Sequence, residues 1–343
     1  MGRIRVALAL SILLCLPLVP RSAPGSAPIT REPVAFQVTN PLDPLKSYTV
    51  EGTLIRPAGC TTSVLLAMHG LSYGKWAWDF PLEPETYSVA QALAERGYGM
   101  VAIDRLGYGA SAGSGSPDQP NGYTLTVEGY AEMTAQIVRQ LRGGTYEATL
   151  PNAFDRVGLI GHSAGTEIVE LAAGLHPELA SVLIATGYTH EPFVNNHWLL
   201  RQWVPRDNVA ALQDDYMYFE SDPDTRAADF YTSLSDPDVV ALDNALANLT
   251  PSGEIFSISF QPSRYAVPLY DGPVLLVLAE DDVLFPAHFG ENELLHFVRA
   301  SDKTLQVVPG AGHSFMLHTN APATNDAIAD WLDARNGTHP RCS

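Results

Sequence analysis

The sequence predicts an α/β fold: a mostly parallel central sheet with helices on both faces and one inserted segment. Three observations predict it. Short continuous apolar runs at residues 64–68, 99–103, 157–160, 182–185 and 274–279 read as strands buried on both faces. Stretches with helical periodicity alternate with them, and strand–helix alternation implies parallel crossovers. The pentapeptide Gly161-His162-Ser163-Ala164-Gly165 sits where one such strand meets a helix-forming stretch, 167–175.

In chain order, the first 22 residues read as a cleaved secretory signal peptide. Arg3 and Arg5 form a basic start, and residues 6–19 are nearly all apolar. That run is shorter than the roughly 20 residues a spanning helix needs, and Pro17 and Pro20 would break it. Small residues follow at Ser22, Ala23, Ser26 and Ala27. The expected location is therefore outside the cytoplasm, extracellular or periplasmic, with no membrane span in the mature chain. Residues 23–32 form a Pro/Ser/Ala linker. Losing Arg3, Arg5 and Arg21 with no acid would take the formal net charge from −18 to −21. So acidic a surface disfavours nucleic acid and anionic membranes as partners. Once Cys15 leaves with the signal, Cys60 and Cys342 remain, an even pair that suggests one disulfide in an exported protein. N-glycosylation sequons begin at Asn248 and Asn336.

Residues 34–39 and 48–56 read as two strands around the Pro41/Pro44 turn. The strand at 64–68 follows, then a helix over 85–96 ending at Gly97, and the strand at 99–103. A helix over 125–141 stops at Gly143-Gly144 and precedes the strand leading to Ser163. The later strands are 182–185, 274–279 and 304–308, with helices at 287–298 and 324–334. In such sheets ligands bind beyond the carboxyl ends of the strands. Residues 188–268 break the alternation. They are rich in aromatics and acids, are punctuated by Asp-Pro at 222–223 and 236–237, and carry helix-like patches at 209–218 and 239–249. They read as a cap inserted between two parts of one core, 33–187 and 269–343.

A serine hydroxyl needs a base within hydrogen-bond reach before it attacks a carbonyl. His313 stands on a glycine-rich loop, 308–313, just past the last strand, with His318 as its competitor. The turn Glu280-Asp281-Asp282-Val283-Leu284-Phe285-Pro286 follows the preceding strand and offers three carboxylates.

Together these motifs resemble the α/β-hydrolase superfamily over residues 33–335. The resemblance implies Ser163 as nucleophile, His313 as base, and as acid the residue four before the proline, Asp282, with Asp281 and Glu280 as alternatives. It implies an oxyanion hole from the backbone N–H groups of Leu71 and Ala164. The family's usual proline after His69-Gly70 is replaced by Leu71-Ser72-Tyr73-Gly74-Lys75-Trp76. Trp76, Trp78 and Phe80 either line an acyl pocket or pack. The stretch from Asp104 to Ser111 matches a family turn, with a structural role. His176, His190, His197, His288, His296 and His339 show no metal-ligand spacing, so neither metal nor cofactor is expected. The expected activity is secreted hydrolysis of small carboxylic esters through an acyl-enzyme. A lactonase or a peptidase releasing short products is the alternative on the same fold, and a binding protein without turnover is the contrasting class. Serine at 163 argues against the aspartate-nucleophile members, the epoxide hydrolases and haloalkane dehalogenases.

Overall fold

The structure is a computed structural model that describes residues 28–59, 61–191, 209–219 and 223–336. The signal-peptide reading, Cys60 and Cys342 lie outside the described residues. Ten strands are described: β1 Ile29–Asn40, β2 Asp43–Pro57, β3 Ser63–Met68, β4 Gly99–Ile103, β5 Arg156–His162, β6 Leu183–Thr186, β7 Tyr216–Met217, β8 Thr250–Pro251, β9 Pro273–Ala279 and β10 Asp302–Val308. Eight form one sheet in the order β1-β2-β4-β3-β5-β6-β9-β10, and β7 pairs with β8 apart from it. β1 and β2 are an antiparallel hairpin, β2 is antiparallel to β4, and every pairing from β4 to β10 is parallel. This is the α/β-hydrolase arrangement, and it places the carboxyl ends of β3, β5, β6, β9 and β10 along one edge.

Every residue of β3 and β4 is buried, as their unbroken apolar runs require. Helices α3 (Val127–Gly143) and α4 (Ala164–Leu175) close one face, where Ile137, Leu141 and Ile168 meet Leu66, Val101 and Leu159. Helix α2 (Val89–Glu95) and the C-terminal helix Ala321–Asn336 close the other, where Leu93, Ile328 and Trp331 meet Leu65, Met100 and Val277. The Thr126 hydroxyl caps α3 by accepting from Gly129 N, and Gly144 ends it at φ 62°.

The structure corrects several boundaries. Residues 29–32, expected in the linker, begin β1 and pair with Leu54–Pro57. The helix expected over 85–96 breaks at Ser88 into α1 (Pro84–Tyr87) and α2, because the Ser88 hydroxyl caps the second piece by accepting from Gln91 N. The helix expected over 287–298 is only a 3-10 turn, Ala287–Phe289, and one helical turn, Gly290–Glu293. There Glu293 is drawn inward to His190, a long-range bond that local periodicity does not register. Of the helix expected over 209–218, residues 209–211 are helical and β7 follows. The inserted segment also carries helices Pro223–Phe230, Pro237–Leu246 and Ser252–Ile258. Among the described residues no helix is long and apolar enough to cross a membrane.

The junction of β5 and α4 depends on missing side chains. A Cβ on Gly165 would lie 2.2 Å from the Met68 carbonyl oxygen, and one on Gly161 would lie 2.4 Å from the Gly165 oxygen. Backbone cannot yield there as a flexible side chain would. Gly165→Ala should therefore destabilise the chain by about 3 kcal/mol or more, read as a lower midpoint in urea unfolding.

Candidate active site

Ser163 lies between β5 and α4 with φ 55° and ψ −125°, a conformation a residue with a Cβ rarely adopts. Its N–H donates to the Thr186 carbonyl at the end of β6, at 2.9 Å. Its carbonyl accepts from Thr166 N at 2.8 Å. Ser163 is partly exposed, while Gly161, His162, Ala164 and Gly165 around it are buried. Gly70, at the end of β3, is pressed against it: a Cβ on Gly70 would stand 3.0 Å from the Ser163 Cβ. The sharp turn thus lifts one hydroxyl toward solvent at the carboxyl edge of the sheet.

His313 approaches from the loop after β10. Its ring centroid is 4.8 Å from that of His162, the residue before Ser163, and the rings of Phe230 and Phe285 lie 5.3 and 5.7 Å from it. Its Nδ1 bonds Asp282 Oδ2 at 2.8 Å. Asp282 is buried, and its other oxygen accepts from Leu284 N at 2.8 Å and Phe285 N at 3.0 Å. Of the three carboxylates in the turn, Asp282 is thus the one that reaches His313. Asp281 and Glu280 are exposed, and Glu280 accepts from Gly310 N on the loop that carries His313. Among the described residues no hydrogen bond joins the Ser163 hydroxyl to His313, and such contacts often tighten only when substrate binds.

His318, the sequence competitor, is committed elsewhere. Its Nδ1–H donates to the Ser314 carbonyl, and its Nε2 accepts from Gly312 N and Thr232 N. Burial lowers its pKa, consistent with a neutral ring that braces the His313 loop. His162 is neutral for the same reason, with His313 nearby as a second cause. The Thr186 hydroxyl gives its only proton to the Gly161 carbonyl, so it accepts from His162 Nδ1–H.

The amides of Leu71 and Ala164 have no hydrogen-bond partner among the described residues. Ala164 is the first residue of α4, where an N–H has no intrahelical acceptor and the helix dipole favours negative charge. Leu71 and Ala164 belong to one small apolar cluster with Ala211 and Ile255 of the inserted segment, and Met217, Phe219 and Phe256 pack on it. The inserted residues therefore pack against both residues that carry these amides.

The aromatic run divides. Trp78 and Phe80 are buried in the core with Tyr87 and Val89, which is the packing reading. Trp76 is half-buried, with its ring 5.1 Å from that of Tyr73. The turn from Asp104 to Ser111 is tied as its glycines suggest. Asp104 accepts from Lys75 N and Ala110 N, and a Cβ on Gly109 would strike its carboxylate. The Asn248 amide nitrogen, the atom glycosylation would modify, donates to the Tyr73 carbonyl at 3.1 Å.

Linear spacing hid two groupings. His190, Glu293 and His296 bring ligand-type atoms within 4.8 Å of one another. Both His190 ring nitrogens are engaged, Nδ1 with Glu293 at 2.7 Å and Nε2 with Ser263 at 2.8 Å. Beside them on α4, Glu167 and Glu170 are fully buried, and their carboxylate oxygens have no hydrogen-bond partner among the described residues. The second grouping is a pair of buried arginines. Arg105 meets Glu254 and Arg226 meets Asp243, both at the loop after β3. A lone arginine following the wholly apolar β4 was the available signal for the first.

Burial pushes the Glu167 carboxyl well above the ordinary carboxylate range. The folded chain then holds a proton that the unfolded chain releases. Stability is full below the unfolded carboxylate range and falls as pH rises from there through the raised folded value. Glu167→Gln should flatten that fall, raising Tm more at pH 8 than at pH 4, as measured by thermal melts across pH.

The alpha/beta hydrolase family model matches residues 64–327. No curated protein gives a significant sequence match. Among solved structures, a thermophilic esterase from Thermogutta terrifontis superposes with a TM-score of 0.64 at 16% identity, covering 88% of this chain and 98% of that one. A monoacylglycerol lipase from Paleococcus ferrophilus gives 0.60 at 19%, covering 81% and 96%. At such identities the likeness carries the fold alone.

Proposed function

Because the chain belongs to the alpha/beta hydrolase family, we propose that it is an exported serine hydrolase that cleaves carboxylic esters. The observation that carries this reading is the buried Asp282–His313 bond beside a strained, partly exposed Ser163. Asp282 fixes the His313 tautomer, with the proton on Nδ1 and Nε2 free to act as base. His313 takes the Ser163 proton as the hydroxyl oxygen attacks the ester carbonyl. The Leu71 and Ala164 amides hold the resulting oxyanion. His313 returns the proton to the leaving alcohol, then activates a water that cleaves the acyl-enzyme. His162, neutral and hydrogen-bonded through Nδ1, does not compete for that proton.

The inserted residues packed with Leu71 and Ala164 are apolar, with Met217, Phe219, Ile255 and Phe256 among them. They support an apolar acyl group and a cap role for the inserted segment. Export rests on the pattern of residues 1–22 alone.

A fluorophosphonate probe should label the folded chain once, and Ser163→Ala should abolish the label. A folded chain that takes no label sinks the reading. With p-nitrophenyl esters, Asp282→Asn should lower kcat by about 1,000- to 10,000-fold, while the exposed Asp281→Asn should stay within a few-fold of the parent. Turnover should also rise from the acetate to medium-length acyl esters.

A further inference from the structure

Arg105 makes a contact that its turn does not require. The residue is 1% exposed and its Nη1 pairs with Glu254 of the Ser252–Ile258 helix. The rings of Tyr108 and Tyr130 lie 4.7 and 4.8 Å from the guanidinium, and the Tyr108 hydroxyl donates to the other Glu254 oxygen at 2.7 Å. The remaining arm, Nη2, donates to the Gly70 carbonyl at 3.2 Å. That oxygen also accepts from His69 Nδ1 at 2.8 Å. His69 Nε2 accepts from Arg105 N, so the ring proton sits on Nδ1, and burial with the adjacent Arg105 charge keeps the ring neutral.

The Gly70 carbonyl and the Leu71 N–H are two ends of one peptide. There are no cis bonds among the described residues, so the two groups point in opposite directions from a common plane. Holding the oxygen toward Arg105 and His69 therefore aims the N–H away from them. We propose that Arg105, with Glu254, is a positioning residue for the Leu71 oxyanion donor and acts through the Gly70 carbonyl. This rests on the oxyanion role given to Leu71 under the proposed function.

The other side of Leu71 is held in the same manner. Ser72 stands at φ 61°, and residues of the inserted segment take each of its polar groups. Arg226 Nη1 donates to its hydroxyl at 2.7 Å, its N–H donates to Thr250 Oγ1 at 3.1 Å, and its carbonyl accepts from Asn248 N at 2.7 Å. Arg226 is itself held in a two-pronged bond to Asp243, with both contacts at 3.0 Å. A loop that had only to be stable would be served by apolar packing, since a buried ion pair gains little over it. What a guanidinium adds is a planar set of donors in fixed directions.

Two variants of the full chain test this. Arg105→Lys keeps a charge for Glu254 and loses the planar second donor. The double variant Arg105→Met/Glu254→Leu removes both charges, so no unpaired ion is left in the core. The readouts are Tm, kcat and KM for a p-nitrophenyl ester, and affinity for a boronic acid, whose tetrahedral adduct on Ser163 places an oxygen in the hole. Expected for each folded variant is a fall in kcat of about 100-fold, with KM little changed and boronate affinity lost in step with kcat. If the double variant does not fold, Arg105→Lys decides alone. Unchanged kcat and boronate affinity in folded Arg105→Lys overturns the proposal and leaves the ester reading standing. So does a loss seen only in KM. A parent chain with neither ester turnover nor fluorophosphonate label fails the ester reading instead.

Discussion

Ser163 is held in a backbone conformation that costs about 1–3 kcal/mol, and much of the surrounding architecture is shaped by holding it. The turn can form only where β3, β5 and α4 approach more closely than side chains allow, which is why Gly70, Gly161 and Gly165 occupy the contact. The same close approach brings the loop after β3 against the start of α4, so Leu71 and Ala164 share one apolar cluster. Hydrogen bonds from Ser163 N to Thr186 and from Thr166 N to Ser163 then fasten the strained residue to β6 and to its own helix. Local strain and the convergence of three elements are one constraint seen from two sides.

Much of this was legible in the sequence because it rests on local signals. β3 and β4 are buried on both faces, so their apolar runs need no context to be read. The glycines of 161–165 announce a close approach within five residues. The choice among Glu280, Asp281 and Asp282 was harder, because three carboxylates in one turn look alike in sequence. Burial separates them: only the Asp282 carboxylate turns inward, and its Oδ1 is held by two backbone N–H groups of its own turn. The helix expected over 287–298 failed for the opposite reason, since Glu293 answers to His190 across 103 positions.

The contacts of the inserted segment were not legible. Arg226 meets Ser72 across 154 positions and Glu254 meets Arg105 across 149. Neither pair belongs to a periodic pattern, and both involve charges that sequence statistics assign to the surface. Of the signals the sequence offered there, the sequon residues Asn248 and Thr250 serve contacts across 175 and 178 positions, and one Asp-Pro pair, 236–237, is explained locally. Asn248 and Thr250 bind the loop after β3, and Asp236 caps the Pro237–Leu246 helix.

Those two charged contacts bear on how such a chain can diversify. A segment that only covered a site could be changed freely while the chemistry beneath stayed constant. Here Arg226, Asn248, Thr250 and Glu254 belong to the inserted segment yet grip Gly70 and Ser72 of the loop after β3, directly or through Arg105. Grafting a foreign segment would remove those grips. Single changes that keep Arg226, Asn248, Thr250 and Glu254 in place therefore disturb the loop after β3 less than wholesale exchange of the segment.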